Sequence, residues 1–431
     1  TQAWTVRVRH GGVMIPLTLQ VTQYPCTVPP AGQDTLQYVN WMSYANVASY
    51  HGLAPETEPY WRMLRKYLRA MRFSRQNMVN VPIDAFFRME GETICLDGDR
   101  LLALLRVIDA EGIYYLNGTA FCGREAGLAD DDAFYQSLDH EHIQSPDEIA
   151  QAFREGAFDA FDNGPLAKLN LTGDVIPGEA GERRLGEMAR LLGEWITRHG
   201  YAERWVQCCM DEPNDALGDA YRRITQIVRA AMPGVRLMEP VLPTHAVADC
   251  LDVLCPSADV YENDRAFYDA EAAKGHELYV YTCLTPGGNY CNRMLDMQRI
   301  RQVYLGWAPA KYENIHGFLH WGLNQYPGGT DPYARSVVMF SEQVLEFHPK
   351  RAMFLPAGDF AIFYPGDGEP YLTTRSEAHR IGLEDLCLLQ RLPADRRAEI
   401  VDRIFHGFAD YDKSVRHYRA ARRELLEASC E

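Results

Sequence analysis

No stretch of the 431 residues approaches the roughly 18 consecutive apolar residues of a membrane-spanning helix, and the opening TQAWTVRVRHGG contains no apolar signal-peptide core. Basic clustering is equally scarce. The formal charge is −16 and the pI is near 5.3, with no stripe of Lys and Arg to meet a phosphate backbone, so neither a membrane nor a nucleic acid is an expected partner. G-x-G-x-x-G, the phosphate-binding P-loop and the G-x-S-x-G nucleophile turn are all missing, which counts against nucleotide-dependent and serine-hydrolase chemistry.

Disulfide signatures are missing too. The 11 cysteines are odd in number and scattered, include the vicinal pair Cys208 and Cys209 inside an apolar run, and form no C-x-x-C; this is the usage of reduced thiols in a cytoplasmic protein. His140 and His142 in DHEHIQS stand at i, i+2 instead of the H-E-x-x-H spacing, which reads as a solvated loop and not as a zinc site. The sequence calls for no metal and no cofactor, and it leaves the oligomeric state open, a homo-oligomer included.

What is present is a regular alternation. Residues 1 to about 24 alternate apolar and polar around Gly11-Gly12 and predict a hairpin, followed by the Pro-rich connector YPCTVPPAG. From about residue 35, apolar runs alternate with amphipathic helices: LQYVNWM, NMVNVPI, IYYLNGTAF, RWVQCCM, VRLMEP, DVLCPSADVY, ELYVYTCL and IHGFLHW are the strands. Trp61, Leu64, Leu68 and Met71 mark one helix, and Leu185, Met188, Ala189, Leu192, Trp195 and Ile196 another that stops at Gly200. Eight strands between about 36 and 322, most followed by a helix, predict an α/β fold of the (β/α)8 TIM-type barrel class. The expected division is 1–30 as β segment and linker, 31–345 as barrel, and 346–431 as a C-terminal β-hairpin and helical extension. An acidic, Gly-rich elaborated loop is expected at 122–180, with a short helix near PDEIAQAFREGAF.

In such barrels the working residues stand at the carboxyl ends of the strands. Those ends offer Trp41, Asn80, Asn117, Asp211 with Glu212, Glu239, Tyr261 with Glu262, Tyr281, and finally His320, Trp321 and Asn324. Aromatics, amides and carboxylates with little positive charge suit sugars, because rings stack on the apolar faces of pyranoses while amides and carboxylates bond hydroxyls. Most of these residues have a bland reading: lone aromatics as packing, Glu239 and Glu262 as structural or solvated, His320 as a satisfied core histidine. Asp211-Glu212-Pro213 resists it, because two like charges ending a buried run cost desolvation and repulsion unless they are used. Paired carboxylates serve glycosidic cleavage, with Glu212 as the acid. The strand-seven run ELYVYTCLTPGG has its only Glu at the wrong end to supply a nucleophile. That leaves attack by a substrate 2-acetamido group oriented by Asp211, or a second carboxylate drawn from Glu262 or Glu239, or a non-catalytic carbohydrate-binding protein.

The sequence also resembles glycoside hydrolase family 123. The likeness rests on MDEP at Met210–Pro213, on LYVYTCLTPGGNYCNRMLDMQRIRQVYLGWAPAKYENIHGFLHWGLNQY from Leu278 to Tyr326, and on FYPGDGEPYLTTRSEAHRIGLEDLCLLQRL from Phe363 to Leu392. It spans nearly the whole chain, with IPLTLQVTQYPCTVPP similar to the last strand of the β-sandwich that precedes the family's barrel. The resemblance implies an N-acetyl-β-galactosaminidase that uses the acetamido group as nucleophile. Asp211 would orient that group and Glu212 would act as general acid/base, with Tyr281, Trp321 and Asn324 lining the terminal-sugar subsite.

Overall fold

Strict alternation at the start produces β1 (Gln2–His10) and β2 (Val13–Val21), an antiparallel hairpin turned by Gly11 and Gly12 at φ +52° and +82°. Its register sets Trp4 opposite Leu19, Val6 opposite Leu17 and Val8 opposite Ile15, so one face is continuously apolar. These side chains are exposed. The computed structural model describes residues 1–91, 93–122, 179–213, 215, 218–241, 243–326, 329–339 and 354–430; His140, His142 and the short helix expected at 146–158 lie outside them.

All eight apolar runs become staves of one parallel sheet. They are β3 (Gln37–Asn40), β4 (Met78–Val81), β7 (Tyr115–Gly118), β8 (Trp205–Gln207), β9 (Arg236–Val241), β10 (Val253–Pro256), β11 (Glu277–Tyr281) and β12 (Ile315–His320). A small hairpin, β5 (Phe87–Glu90) with β6 (Thr93–Leu96), follows the second stave; its four-residue strands are too short for alternation to announce them. The sheet order β3-β12-β11-β10-β9-β8-β7-β4 runs around a nearly closed barrel of the TIM type. Val39, Met78, Val206, Met238, Val253, Tyr279 and Leu319 fill its interior as one cluster.

Only β3 and β4 lack a ladder between them, and side chains close the seam. The β3 side presents the alternate N–H groups of Tyr38, Asn40 and Met42. They donate to the side-chain oxygens of Asn77 (2.8 Å), Gln76 (3.2 Å) and Asn80 (2.7 Å), and the Asn80 amide returns a bond to the Met42 carbonyl at 3.0 Å. Three amides thus stand in for a missing strand pairing, which leaves those edge donors satisfied.

Helices cover the outside. In Glu58–Phe73, Leu64, Leu68 and Met71 are fully buried, and in Glu179–Arg198 the stripe Leu185, Met188, Ala189, Leu192 and Ile196 is fully buried; each large apolar side chain so placed contributes about 1.5–3 kcal/mol. After the barrel come the paired strands β13 (Val338–Met339) and β14 (Phe354–Leu355), then the hairpin β15 (Phe363–Pro365) and β16 (Pro370–Leu372). The helix Thr374–Leu389 lies so close to Arg299–Lys311 that a Cβ on Gly382 would stand 2.1 Å from the Val303 carbonyl oxygen. The buried Asp385 ties in the last helix, Val415–Ala428, by accepting from Trp307 (3.1 Å), Tyr418 (2.7 Å) and Arg422 (2.7 Å).

One local expectation is corrected. DVLCPSADVY is a strand only as far as Pro256, which lacks the N–H to continue a ladder. Ala258–Asn263 is helical, so Tyr261 and Glu262 stand on a helix and not at a strand end. The helix expected from Asn214 or Asp215 is described from Gly218 to Ala231, and the Asp215 carboxylate accepts from the Thr244 hydroxyl; Asn214 and the two residues between Asp215 and Gly218 lie outside the described residues.

Candidate active site

The strand that delivers the acids bends at its end. β8 pairs with β9 only through Val206 and Gln207, after which Cys208 to Met210 lead to Asp211 and Glu212, both half-buried, and to the buried Pro213. Glu212 has φ +48°, a left-handed conformation that a non-glycine residue holds only when its surroundings fix it. One fixing contact comes from β11. The Tyr281 hydroxyl donates to Glu212 Oε1 at 2.6 Å. Burial, and then the Glu212 charge, push the Tyr281 phenol well above its ordinary range, so it stays a donor at any working pH. Asp211 bears electrostatically on Tyr281, on Cys208 and on Glu239.

Two indoles share that rim, both partly buried and packed on the interior cluster. Trp41 donates from Nε1 to Asn117 Oδ1 at 2.9 Å, and Asn117 donates onward to Cys208 Sγ at 3.3 Å. Trp321 donates from Nε1 to Asp359 Oδ2 at 3.0 Å. Burial raises Asp359 to about 7, and burial with the nearby Arg293 and Arg375 pushes the His320 imidazole well below its ordinary value. His320 Nδ1 accepts the Gly322 N–H at 2.9 Å while Nε2 stands 3.2 Å from Asp359 Oδ1. Below neutrality this is a contact between two uncharged groups.

The remaining expected residues are placed as follows. Asn80 spends its amide on Met42, and Asn324, fully buried, grips the backbone N–H of Ser43 (2.8 Å) and its carbonyl (3.0 Å). Both therefore brace the segment that carries Trp41. Tyr261 is fully buried among Tyr268, Tyr312 and Phe408 in the outer cluster and is not brought to the acid pair. Glu262 Oε1 accepts from Tyr312 and from the Phe408 N–H, each at 2.7 Å, which commits it to the C-terminal region. Glu239 is fully buried in the barrel wall. Arg293, also buried, bonds Asn40 Oδ1 and faces Gly322 O at 3.4 Å. Asp359 is the residue that strand-end reasoning misses, since it belongs to the segment after the barrel. Among the described residues no group of three or more His, Cys, Asp or Glu could hold a metal ion, and no helix is long and apolar enough to cross a membrane.

A TIM-type barrel with adjacent carboxylates after its fourth stave and tryptophans on its rim belongs to the architecture of glycoside hydrolases. The family model for the glycoside hydrolase 123 catalytic domain matches residues 177–392, and the chain belongs to glycoside hydrolase family 123, with the glycosidase activity and carbohydrate substrate that this implies. A family 123 glycoside hydrolase from Clostridium perfringens, described for glycolipid glycan hydrolysis, is similar with a TM-score of 0.63 at 12% identity over 99% of this chain and 74% of its own. A β-galacturonidase from Eisenbergiella tayi (TM-score 0.43, 9% identity, 86% of this chain, 56% of its own) and an intracellular xylanase from Thermoanaerobacterium saccharolyticum (0.40, 12%, 70% and 92%) are more loosely alike. No curated protein sequence matches the chain.

Proposed function

We propose that the protein is an exo-acting β-N-acetylhexosaminidase, with terminal N-acetylgalactosamine as the favoured sugar, working by substrate-assisted retention. The observation that carries this reading is Tyr281. At the end of the seventh stave, where a retaining barrel would present a nucleophilic carboxylate, the side chain is a phenol that hydrogen-bonds Glu212. With Tyr281 in that place among the described residues, the substrate's own acetamido oxygen is the economical nucleophile.

In this mechanism Glu212 protonates the leaving oxygen and later takes a proton from the attacking water. Its bond from Tyr281 fixes the carboxyl's direction without competing for the proton it gives. Asp211 accepts from the acetamido N–H, turning the carbonyl oxygen toward the anomeric carbon and stabilising positive charge as the oxazoline ring closes. Trp321 and Trp41 offer faces for the pyranose ring. Hydrolysis of nitrophenyl N-acetyl-β-galactosaminide, with inhibition by the matching thiazoline, is the expected result; turnover of nitrophenyl β-galactoside alone would sink the acetamido mechanism.

A further inference from the structure

Glu239 sits mid-strand in β9 with no exposed surface, where a barrel normally places an apolar side chain. In a regular strand, consecutive N–H groups point to opposite sides. At the end of β8 they do not. The amides of Cys209 and Met210 both donate to the same atom, Glu239 Oε1, that from Met210 at 2.8 Å. On the other flank β8 keeps its partner longer, since Cys208 N–H reaches the Gly118 carbonyl at 3.2 Å and the Cys209 carbonyl takes the Cys122 N–H at 3.0 Å. The chain is therefore held to β7 and gathered by a side chain on the β9 side, immediately before Asp211 and Glu212.

We infer that Glu239 is a positioning residue for the reaction: by collecting two successive amides on one oxygen, it turns the end of β8 off the sheet and aims the Asp211–Glu212 pair into the barrel mouth. This rests on reading that pair as catalytic. The left-handed backbone of Glu212 (φ +48°) needs support from the preceding chain, and Glu239 supplies it. Burial holds the Glu239 carboxyl well above the usual carboxylate range, aided by nearby Asp211 and opposed by the two amides. The Tyr221 hydroxyl lies beside the carboxyl, and one neutral phenol does not offset the cost of an ionised carboxylate at this depth. Asp211, Tyr221, Cys122, Cys208, Cys209 and Cys255 are the titratable groups around it. A neutral acid accepting through its carbonyl oxygen is a role that glutamine can copy and methionine cannot.

The test is steady-state kinetics of Glu239→Gln, Glu239→Met and Glu212→Gln in the full chain, on whichever nitrophenyl glycoside the wild type cleaves fastest. A crystal structure of Glu239→Met gives a readout that needs no substrate. Expected are a Glu239→Gln enzyme with kcat within about threefold of wild type and an unchanged pH profile, and a Glu239→Met enzyme with kcat down about 30- to 100-fold at near-constant KM, because misplacement by about 1 Å costs that much. Its structure should show the Tyr281–Glu212 bond broken. If Glu239→Met does not fold, Glu239→Asp, one bond shorter, should show the same kcat loss. The inference is overturned if Glu239→Gln falls as far as Glu239→Met, if the Met or Asp variant keeps its kcat, or if the Tyr281–Glu212 bond survives. Retained activity in Glu212→Gln would instead overturn the catalytic pair itself; an inactive Glu212→Gln beside a fully active Glu239→Met defeats the positioning role alone.

Discussion

The two sides of the barrel mouth are braced by different parts of the chain. On the β8 side, Asp211 and Glu212 are held by groups on neighbouring staves, Glu239 on β9 and Tyr281 on β11. On the β12 side, Trp321 leans on Asp359, which arrives 38 residues later from beyond the barrel. A Cβ on Gly322 would stand only 2.2 Å from the Asp359 carbonyl oxygen, so this outer segment is pressed directly onto the rim. The side that carries the two acids is intrinsic to the barrel, whereas the side that carries Trp321 depends on the segment after it. Changes on the first side should register in kcat, and changes on the second in KM and stability.

The sharpest separation should come from the acids. Glu212→Gln is expected to lower kcat by about 10²–10⁴-fold, the range for losing a positioned general acid, with KM nearly unchanged. Asp211→Asn should cost about 10²–10³-fold in kcat for an acetamido substrate, measured on the same glycoside. A KM effect larger than the kcat effect in either variant would erase the distinction between the two sides.

On the other side, Asp359→Leu strands the Trp321 N–H. It should raise KM about tenfold and cost about 1–3 kcal/mol of stability in urea unfolding, while Asp359→Asn, which keeps an acceptor, should recover most of both. The same residue predicts a pH effect. Its folded pKa of about 7 lies above the ordinary 3.8, so its contribution is fully present below about 3.8 and is lost as pH rises through 7. His320, Arg293 and Arg375 are the charged or titratable neighbours, and the two arginines soften the loss without reversing its sign. From pH 5 to 8 the Tm of wild type should fall relative to Asp359→Asn, with a ceiling of about 3 kcal/mol set by the roughly two units between pH 5 and the folded value of about 7. A constant difference across that range would show that Asp359 does not titrate there.

The intrinsic side was also the more legible in sequence. Each stave is a short apolar run, most are followed by a helical stripe, and adjacent acids after RWVQCCM are costly enough to stand out. Tyr281 was visible as a strand end, although its bond to Glu212 was not. Asp359 gave no signal, because its meaning comes only from a fold that carries it to Trp321. Asn80 and Asn324 show a different limit: an amide at a strand end looks the same whether it faces a sugar or a backbone, and only the Met42 and Ser43 bonds separate the two. Tyr261 was displaced because Pro256 ended its strand five residues earlier than the apolar pattern suggested.

These amides provide the smallest expected effect and the finest test of the comparison. Asn80 and Asn324 clamp Met42 and Ser43 from opposite neighbours of β3, so the segment carrying Trp41 is fixed twice. Removing one clamp, as in Asn80→Ala, leaves buried backbone groups unpaired at about 1–3 kcal/mol, yet the other still holds the loop. KM should rise less than about threefold and kcat should stay put. The double variant should exceed the sum of the singles, because residues sharing one restrained segment couple by about 0.5–3 kcal/mol. Strict additivity in a double-mutant cycle would mean that the two clamps act on separate motions and do not share the segment that carries Trp41.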